Sequence, residues 1–384
     1  MNIVLYTNIL TPYRKYFYDL MYEECVKHGD EFSVFVMAKT EPDRNWKYEE
    51  LKAQYTHTLK YKTLCINGKF IHINKDVVKE ISILNPDIII CAGGYLNPGI
   101  WQILRNKKKF NYKVLFWSES HLKESRNYKK KIINIREKIR NKIYKKFDGF
   151  CYAGKFSKEL IERYANPNAR YIFLPNVVDN EKYCKVKLAT NDEKRKIKER
   201  YNLSNEKVLF CPARLTPVKG IGEFFELYSK VTTRQGWTFL IAGDGEQENY
   251  LKNLANKLNI KVQFLGYKNQ NEIIDLYKIT DVFVMPSLSD SNPLSVIEAL
   301  WCGLPILLSD CVGNYPETVV EGKNGYVFSY DRKVEAIDKI NKILTRNDTW
   351  FSDSSEYSIQ IANRMYNSSV AVKKFANELR MYKI

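Results

Sequence analysis

The stretch SLSDSNPLSVIEALWCGLPILLSD, residues 287–310, contains the clearest strand and helix signals of the chain. It follows the apolar run DVFVMP and consists of a polar loop, a segment of helical length and a second apolar run. Pro293 is typical of the first turn of a helix, and Gly303 is typical of the position just after one. The order strand, helix, strand predicts two parallel strands joined by a crossover helix. Asp290 then lies in the loop, and Glu298 lies on the helix among apolar neighbours.

Short apolar runs alternate with amphipathic segments along the rest of the chain. The predicted strands begin with NIVLYT near the start and continue at residues 32–38, 86–94, 112–120, 149–154, 171–179, 206–215, 237–245, 261–267, 281–287, 304–310 and 324–328. Apolar strands separated by helices are typical of parallel sheets covered on both faces. We therefore expect two doubly wound α/β domains, residues 1–183 and 184–365, facing across a cleft, and a final helix within 366–384.

Size and composition exclude several classes of protein. The chain has 384 residues, of which 45% are hydrophobic and 27% charged, and this is typical of a globular protein. Its apolar runs are too short to span a bilayer, and its first residues show no signal-peptide pattern. Eight cysteines without a CxxC pair and four histidines without metal-ligand spacing predict neither a disulfide framework nor a zinc site. The cytoplasm is the expected location.

Positive charge is concentrated in the first half of the chain. The net charge is +17, and residues 1–183 hold 33 basic and 20 acidic residues. Within them, residues 105–146 hold 16 basic and 3 acidic residues, and 129–147 has the pattern of a basic helix with one apolar stripe. This basic block predicts a polyanionic partner: an anionic membrane surface, a nucleic acid or a phosphorylated ligand. A solvated helix face in a lysine-rich chain explains it equally well.

Two motifs of the second half directly follow predicted strands. In CPARLTPVKG, residues 211–220, Arg214 and Lys219 lie between a strand and a helix, and two cations beside a helix N-terminus suit a diphosphate. In the later IAGDGEQ, Gly243 and Gly245 allow a tight turn. Taken singly, surface cations and an ordinary strand–helix turn are the simpler interpretations.

Two further sites complete the set of candidates. Tyr267 and Lys268 follow Gly266 at the end of a strand, where a backbone turn can hold the edge of a nucleobase. Asp290 and Glu298 can reach the reacting part of a ligand and a more distant hydroxyl group. The alternative is that Asp290 is a turn residue and Glu298 a surface acid, although its neighbours have the pattern of a buried helix.

The order of the motifs RLTPVKG, GDGEQ, FLGY, PSLSDSNPLSVIEALWCGLPILLSD and ETVVEGKNGYVF resembles the family-4 retaining glycosyltransferases of GT-B fold. The resemblance covers residues 206–330. In the first half it is thinner and consists of PNVVDNEKY at 175–183, WSES at 117–120 and TPYR at 11–14. It implies two Rossmann-like domains and a last helix, 366–384, that crosses back to the first domain.

The resemblance also implies roles for individual residues. Arg214 and Lys219 would bind the donor diphosphate, Asp290 the transferred sugar and Glu298 the ribose hydroxyls. The backbone of Ser291, Asn292, Pro293 and Leu294 would contact sugar and phosphate. Gly243, Tyr267 and Lys268 would contact the nucleobase, and Tyr13 and Arg14 the acceptor. A histidine of the first domain often contacts the donor sugar in this family, and His121 and Glu119 both stand near that position. Asp290, with His121 or Glu119, would form the catalytic set.

The sequence departs from the family pattern at four places. Asp290 replaces the usual glutamate and is one methylene shorter, and Ser-Asn-Pro follows it in place of Gly-Phe-Gly. Val177 stands where the family has the glycine of PNGVD, and the loop NILTPYR lacks the usual Gly-Gly pair. These departures leave open which sugar is transferred and how closely Asp290 approaches it.

The implied activity is transfer of a sugar, with retention, from a nucleoside-diphosphate sugar to a hydroxyl of a glycan or lipid-linked acceptor. A UDP-sugar is expected over a GDP-sugar, and bacterial capsule, O-antigen or lipopolysaccharide synthesis is the expected setting. Arg214, Lys219 and the helix N-terminus can stabilise the departing diphosphate, so no metal ion or other cofactor is expected. The basic block would hold the enzyme on the inner face of the cytoplasmic membrane, at about 1 kcal/mol per close lysine or arginine.

Other kinds of function stay open. A nucleotide-sugar epimerase has the same fold, and a basic nucleic-acid-binding or membrane-binding protein without transferase activity would explain the charge. A phosphorylase needs a cofactor lysine context that the sequence does not show. A nucleic-acid binder predicts aromatic platforms within the basic block, which holds isoleucines and scattered tyrosines instead, so no nucleic acid is expected.

Overall fold

The computed structural model describes residues 1–42, 47–66, 69–122 and 130–383. They form two compact units: unit 1 consists of Met1–Val177 and the chain from Ser368 onward, and unit 2 consists of Val178–Asn367. The first division falls between two neighbouring valines, because Val177 packs in a core of unit 1 and Val178 in a core of unit 2. The divisions expected from the sequence, 183/184 and 365/366, lie a few residues away.

The described part of unit 1 contains a seven-stranded parallel sheet with the strand order β3-β2-β1-β6-β7-β8-β9, and a separate antiparallel hairpin, β4-β5. The strands are β1 Asn2–Thr7, β2 Glu31–Val36, β3 Thr56–Thr58, β4 Lys62–Ile66, β5 Lys69–Ile73, β6 Ile88–Ala92, β7 Lys113–Ser118, β8 Gly149–Tyr152 and β9 Arg170–Phe173. The helices are α1 Pro12–Lys27, α2 Tyr48–Leu51, α3 Val77–Ser82, α4 Pro98–Asn106, α5 Lys130–Tyr144 and α6 Lys155–Tyr164, with α16 Ser368–Arg380 added from the end of the chain.

Unit 2 contains a six-stranded parallel sheet with the order β12-β11-β10-β13-β14-β15. Its strands are β10 Lys207–Pro212, β11 Trp237–Ala242, β12 Val262–Phe264, β13 Val282–Met285, β14 Ile306–Ser309 and β15 Gly325–Phe328. Its helices are α7 Asn180–Cys184, α8 Asn191–Arg200, α9 Ile221–Tyr228, α10 Glu248–Lys257, α11 Gln270–Lys278, α12 Leu294–Trp301, α13 Tyr315–Thr318, α14 Lys333–Leu344 and α15 Asp348–Tyr366. The predicted α/β architecture is confirmed in both units.

Each sheet carries an apolar core on both of its faces. Successive side chains of a strand point to opposite faces, so Val208 and Phe210 of β10 enter one core, and Leu209 and Cys211 enter the other. In unit 1, β1 divides its side chains between two cores in the same way. This double burial is the reason why the strands were recognisable as continuous apolar runs.

Three elements of unit 1 were missed by the sequence analysis. β3 is the short polar strand THT, and β4 and β5 form a hairpin whose pattern mixes lysine, threonine and histidine with apolar residues.

The predicted helix 129–147 is α5, Lys130–Tyr144, and residue 129 lies outside the described residues. Its apolar stripe is only partly covered: Ile143 is buried, whereas Ile135 is 50% exposed.

The last helix, α16, packs on α1 within unit 1. Val372, Phe375 and Leu379 enter the core that Phe17 of α1 also lines, and the Phe17 and Phe375 ring centroids are 6.2 Å apart. Arg380 Nε donates to Asp30 Oδ2 at 2.7 Å. Residues from far ends of the sequence therefore share one core. Among the residues that the structure describes, no helix is both long enough and apolar enough to cross a membrane.

Candidate functional site

Two loops of unit 2 lie side by side at the carboxyl ends of the neighbouring strands β10 and β13. The amide of Leu288 donates to the carbonyl oxygen of Val218 at 2.9 Å. The hydroxyl of Tyr330 lies 2.6 Å from the carbonyl oxygen of Pro286 and 3.1 Å from that of Gly220, so it bridges the two loops. These contacts fix the motif RLTPVKG against the start of PSLSDSNP, although more than sixty residues separate them in sequence.

Glycines permit this close packing of loops. Gly220 has φ +63°, and a Cβ atom there would lie 2.4 Å from the carbonyl oxygen of Pro286. Gly243 has φ +148°, and its Cβ would lie 2.1 Å from the carbonyl oxygen of Ala213. Both positions therefore require glycine. At Gly243 the structure gives a packing reason for the residue, whatever its relation to a nucleobase.

The two loops bring Lys219 and Asp290 together. Lys219 Nζ donates to Asp290 Oδ2 at 2.5 Å, and the side chains are only 19% and 17% exposed. The family resemblance implied separate ligands for these residues, the diphosphate for Lys219 and the transferred sugar for Asp290. Their contact places the two predicted binding groups side by side.

Arg214, the second predicted cation, lies on the same loop and is exposed. Its guanidinium has no hydrogen-bond or ion-pair partner among the residues that the structure describes, whereas Lys219 is engaged by Asp290. The α9 helix begins directly after Lys219, with Gly220 as its N-cap. Two cations and a helix N-terminus thus meet at one edge of the unit 2 sheet, the arrangement that the sequence predicts for a diphosphate.

Glu298 is held by two buried tyrosines. The Tyr183 hydroxyl donates to Glu298 Oε1 at 2.8 Å, and the Tyr277 hydroxyl donates to Oε2 at 2.9 Å. Burial raises the pKa of Glu298, and the two phenol hydrogen bonds oppose that rise. Glu298 is therefore an enclosed, hydrogen-bonded acid and not the surface acid of the alternative interpretation.

The loop from Asp290 to Leu294 needs one correction. Pro293 has no backbone N–H, so it cannot offer the amide that the family resemblance implied at this position. The amide of Asp290 donates to the carbonyl oxygen of Cys311 at 3.3 Å, and the Gly313 amide donates to the carbonyl oxygen of Asp290 at 2.7 Å. Pro293 caps α12, and Leu294 is its first residue. Ser291, Asn292 and Leu294 keep their amides as candidate donors.

The predicted nucleobase residues lie at the ends of neighbouring strands β11 and β12. The Gly243 amide donates to the carbonyl oxygen of Gly266 at 2.8 Å, and this bond joins the two turns. Tyr267 follows directly and is 68% exposed, so one face of its ring is available to a ligand. Lys268 Nζ forms an ion pair with Glu272 Oε1 at 3.2 Å. The structure thus brings Gly243, Tyr267 and Lys268 to one edge.

The candidate residues of unit 1 lie at the carboxyl ends of β1 and β7. Arg14, in the first turn of α1, forms an ion pair with Glu119 and lies over the buried ring of Trp117, with 3.9 Å from Cζ to the ring centroid. Burial opposes the charge of Arg14, but Glu119 more than offsets this, and the pKa of Arg14 is raised. Tyr13 is exposed beside it.

His121 is buried in unit 1, two residues beyond Glu119. Its ring centroid lies 6.1 Å from that of Phe156 in α6. The sequence did not separate His121 from Glu119 as the donor-sugar residue. The Glu119 carboxylate is bound by Arg14 and the His121 ring packs near Phe156, so both candidates are engaged within unit 1.

Sequence reasoning missed the tyrosines that organise unit 2. Tyr330 joins two loops, and Tyr183 and Tyr277 hold Glu298. Tyr183 lies within PNVVDNEKY, where the resemblance to the family drew attention to Val177 and not to the tyrosine. Tyr277 and Tyr330 lie in no motif that the resemblance assigns a role. Among the described residues, no group of three His, Cys, Asp or Glu side chains could hold a metal ion. The expectation that catalysis needs no metal stays a prediction.

Comparison with known families gives one match, to the family described as Glycosyl transferases group 1, over residues 193–363. The chain is 34% identical over 158 residues to the UDP-Gal:alpha-D-GlcNAc-diphosphoundecaprenol alpha-1,3-galactosyltransferase of Escherichia coli, which covers 40% of each chain. It is 26% identical over 218 residues to the GDP-mannose-dependent monoacylated alpha-(1-6)-phosphatidylinositol monomannoside mannosyltransferase of Corynebacterium glutamicum, covering 54% of this chain and 55% of that one. The chain spans about a third to just over half the length of the first curated relatives it matches.

Solved structures match over the full length. Anabaena Alr3699/HepE in complex with UDP and glucose superposes with a TM-score of 0.74, covering 99% of this chain and 100% of that chain, at 14% identity. The lipopolysaccharide outer core galactosyltransferase WaaB superposes with a TM-score of 0.70 over the full length of both chains, at 15% identity. At such identities the likeness shows the fold alone, and the GT-B fold predicted from the sequence is confirmed.

Proposed function

Because residues 193–363 belong to the glycosyl transferases group 1 family, we propose that this chain is a retaining glycosyltransferase. It takes a sugar from a nucleoside-diphosphate sugar and transfers it to a hydroxyl of a glycan or lipid-linked acceptor. Bacterial surface polysaccharide synthesis is the proposed setting. The observation that carries the proposal is the contact between Lys219 and Asp290, beside an exposed Arg214 on the same loop that has no ion-pair partner among the described residues.

The proposed mechanism uses the charges of unit 2. The donor diphosphate binds Arg214, displaces Asp290 from Lys219, and accepts donors from the start of α9. Asp290 then turns to the hydroxyls of the transferred sugar. As the bond between sugar and diphosphate breaks, negative charge grows on the diphosphate, and fixed positive groups stabilise that charge. Retention at the anomeric carbon is inferred from the resemblance to the family-4 enzymes.

In unit 1 we propose His121 as the residue that contacts the donor sugar, because the family resemblance implies a histidine in that role. Glu119, which is paired with Arg14, is the alternative. Tyr13 and Arg14 are the proposed acceptor-side residues, and Tyr13 is the exposed one of the two. The pairing of Arg14 with Glu119 reduces the net charge that Arg14 can offer to an acceptor.

A thermal-shift panel tests the donor proposal. UDP, GDP, UMP, GMP and ADP are added to the wild type, to Arg214→Ala and to Arg364→Ala. Arg364 is an exposed arginine of unit 2 that pairs with no acid in the part of the chain that the structure describes. A ligand that binds the native state raises the unfolding temperature by mass action. We expect UDP to give the largest shift, Arg214→Ala to lose it and Arg364→Ala to keep it. A panel in which no diphosphate shifts the wild type would overturn the proposal.

The acceptor and location are proposed from charge. The exposed lysines Lys108, Lys109, Lys113, Lys145 and Lys146 surround the amino ends of β7 and β8. Lys107 Nζ joins the two segments by donating to the carbonyl oxygen of Lys146 at 2.7 Å and to Asp148 Oδ1 at 2.9 Å. Phe110, which is also exposed, lies between Lys109 and Lys113 in the sequence. Residues 123–129 of the basic block lie outside the described residues. Such an edge suits an anionic membrane surface that carries a lipid-diphosphate-linked acceptor.

Vesicle sedimentation tests the membrane proposal. Reversing two charges in K145E/K146E removes about 1 kcal/mol of attraction per lysine, and more once repulsion is added. We expect this variant to bind vesicles that contain 30% anionic lipid at least tenfold more weakly than the wild type. The matched control is K323E/K333E, which reverses two exposed lysines of unit 2. Equal binding of both variants would contradict the proposal.

A further inference from the structure

We propose that Tyr183 and Tyr277 are positioning residues that present the Glu298 carboxylate to both hydroxyls of a nucleotide ribose. The inference rests on the proposed function, because it concerns the nucleotide part of the donor. It adds two residues to which the family resemblance gave no role. The three side chains come from three helices of unit 2: Tyr183 from α7, Tyr277 from α11 and Glu298 from α12.

Each phenol binds a different oxygen of the carboxylate. Tyr183 donates to Oε1 at 2.8 Å and Tyr277 to Oε2 at 2.9 Å. Gln270 Nε2 lies 3.4 Å from the Tyr183 hydroxyl and donates to it, which leaves the single phenol proton for Glu298. A carboxylate that is bound at both oxygens cannot rotate about its last bond without breaking a hydrogen bond. The orientation of its plane is therefore fixed.

The two rings are themselves fixed by the core. Tyr183 and Tyr277 are both almost completely buried. The Tyr277 ring meets Phe210 of β10 edge-to-face, with centroids 5.4 Å apart at 85°, and meets Tyr183 at 6.1 Å and 79°. Aromatic pairs prefer such edge-to-face contacts, and buried rings have few alternative rotamers. Through these rings the core of the sheet determines where the carboxylate points.

The remaining acceptor positions of Glu298 define what it can bind. A carboxylate oxygen accepts about two hydrogen bonds. Each oxygen of Glu298 uses one for a phenol and keeps one, so two parallel acceptor positions stay open. The vicinal 2′ and 3′ hydroxyls of a ribose are two neighbouring donors that match this pair. A 2′-deoxyribose fills one position only and leaves a partly buried anionic oxygen without its second partner. The tyrosines thereby set a preference for ribonucleotides.

The test compares a ribonucleotide with its deoxy form. Calorimetry gives the dissociation constants of UDP and 2′-deoxy-UDP, or of GDP and 2′-deoxy-GDP if GDP is the nucleotide that stabilises the wild type. We expect the wild type to prefer the ribonucleotide by about tenfold, the size of one hydrogen bond to a charged group. In Tyr183→Phe and Tyr277→Phe that preference should fall about three- to fivefold, and Glu298→Gln should abolish it.

Tyr366→Phe is the matched control. Tyr366 is a fully buried tyrosine of the same core cluster, and its hydroxyl has no hydrogen-bond partner among the described residues. Its loss should leave the preference unchanged. If Tyr183→Phe and Tyr277→Phe weaken both nucleotides by the same factor, the tyrosines serve the fold alone and the inference is overturned. A wild type that binds no nucleoside diphosphate would instead overturn the proposed function. Circular dichroism of every variant separates both outcomes from misfolding.

Discussion

Arg14 with Glu119 in unit 1 and Lys219 with Asp290 in unit 2 are both cation–acid pairs beside the carboxyl end of a parallel strand. The Arg14 guanidinium also lies 3.9 Å over the buried ring of Trp117, whereas Lys219 is a flexible chain without such a contact. A guanidinium is planar and stacks, while an ammonium is a point charge that exchanges partners easily. The Arg14–Glu119 pair is therefore anchored on the core of unit 1. For the Lys219–Asp290 pair of unit 2, we propose that a ligand takes the place of Asp290 at the lysine.

The largest expected effect follows from removing the exchangeable cation. Lys219→Ala takes away a positive group that faces the diphosphate as its charge grows, and loss of one such group costs about 100-fold or more in rate. The measurement is the rate at which the preferred donor releases its nucleoside diphosphate. Folding stability should fall by about 1 kcal/mol, because Asp290 loses its partner but no ring contact is lost. The control is Lys323→Ala, at an exposed lysine of unit 2 that forms no ion pair with any described residue. Equal rates in both variants would place the reaction elsewhere.

Changes to the Arg14–Glu119 pair should lower folding stability more than Lys219→Ala does. Arg14→Ala removes an ion pair and a ring contact, and leaves Glu119 with its charge uncompensated, so it should destabilise unit 1 by about 1 to 3 kcal/mol. Arg14→Lys restores the charge but not the stacking, and should recover less than half of this loss. Urea unfolding followed by fluorescence measures both. If lysine restores full stability, the two pairs are equivalent and the comparison fails.

Glu298 extends the comparison to pH, because its carboxylate is buried and is bound by two phenols, whereas Glu119 and Asp290 are bound by cations. Its pKa is raised above the ordinary value of 4.5, so protonation is easier in the folded state than in the unfolded one. On acidification through the raised pKa, Glu298 should therefore add to the stability of unit 2, since the stability linked to a raised pKa is lost as pH rises. Nucleotide affinity should fall over the same range, by about tenfold, because a protonated carboxyl loses acceptor positions. In Glu298→Gln, both stability and nucleotide affinity should depend less on pH. The phosphate groups of the nucleotide also titrate, but this affects the wild type and the variant equally and cancels in the ratio of their affinities. Parallel changes of stability and affinity would contradict this assignment.

The smallest effect is expected at the exposed ring of Tyr267. Tyr267→Ala should weaken nucleoside diphosphate binding about fivefold, the contribution of one base stacked on an aromatic ring. It should leave the unfolding temperature unchanged because the ring is 68% exposed. Tyr250→Phe, at another exposed tyrosine of unit 2, is the reference for nonspecific change. A loss equal for UDP and for inorganic diphosphate would exclude contact with the base.

The fold could be predicted because its strands are covered on both faces. The runs VFVMP at 282–286 and LPILL at 304–308 are apolar without interruption, which is the pattern of buried parallel strands. β3 and the hairpin β4–β5 lie outside that double covering, and their polar patterns gave no signal. The motifs predicted which residues of the candidate site lie near one another. Arg214 and Lys219 lie on one loop, and the turn at Gly243 is hydrogen-bonded to the turn before Tyr267.

What the sequence could not supply is the partner of each side chain. The contact of Lys219 with Asp290 depends on hydrogen bonds between two loops, and no spacing of residues encodes it. Tyr183 and Tyr277 meet Glu298 because three helices cover one core, so they look like ordinary core aromatics in the sequence. Pro293 is the reverse case: the loss of its amide is evident from its chemistry alone, and a family pattern obscured it.

The position of α16 has a consequence for the order in which the protein can be completed during synthesis. The ribosome makes residues 1–177 first, but their core also contains Val372, Phe375 and Leu379, which are translated after the whole of unit 2. Domains tend to fold as they emerge, and exposed apolar surface on an unfinished domain invites aggregation. Unit 2 is continuous in sequence and can fold while translation continues. The half of the protein that is made first must therefore wait, with the face around Phe17 uncovered, and is the part expected to depend on chaperones.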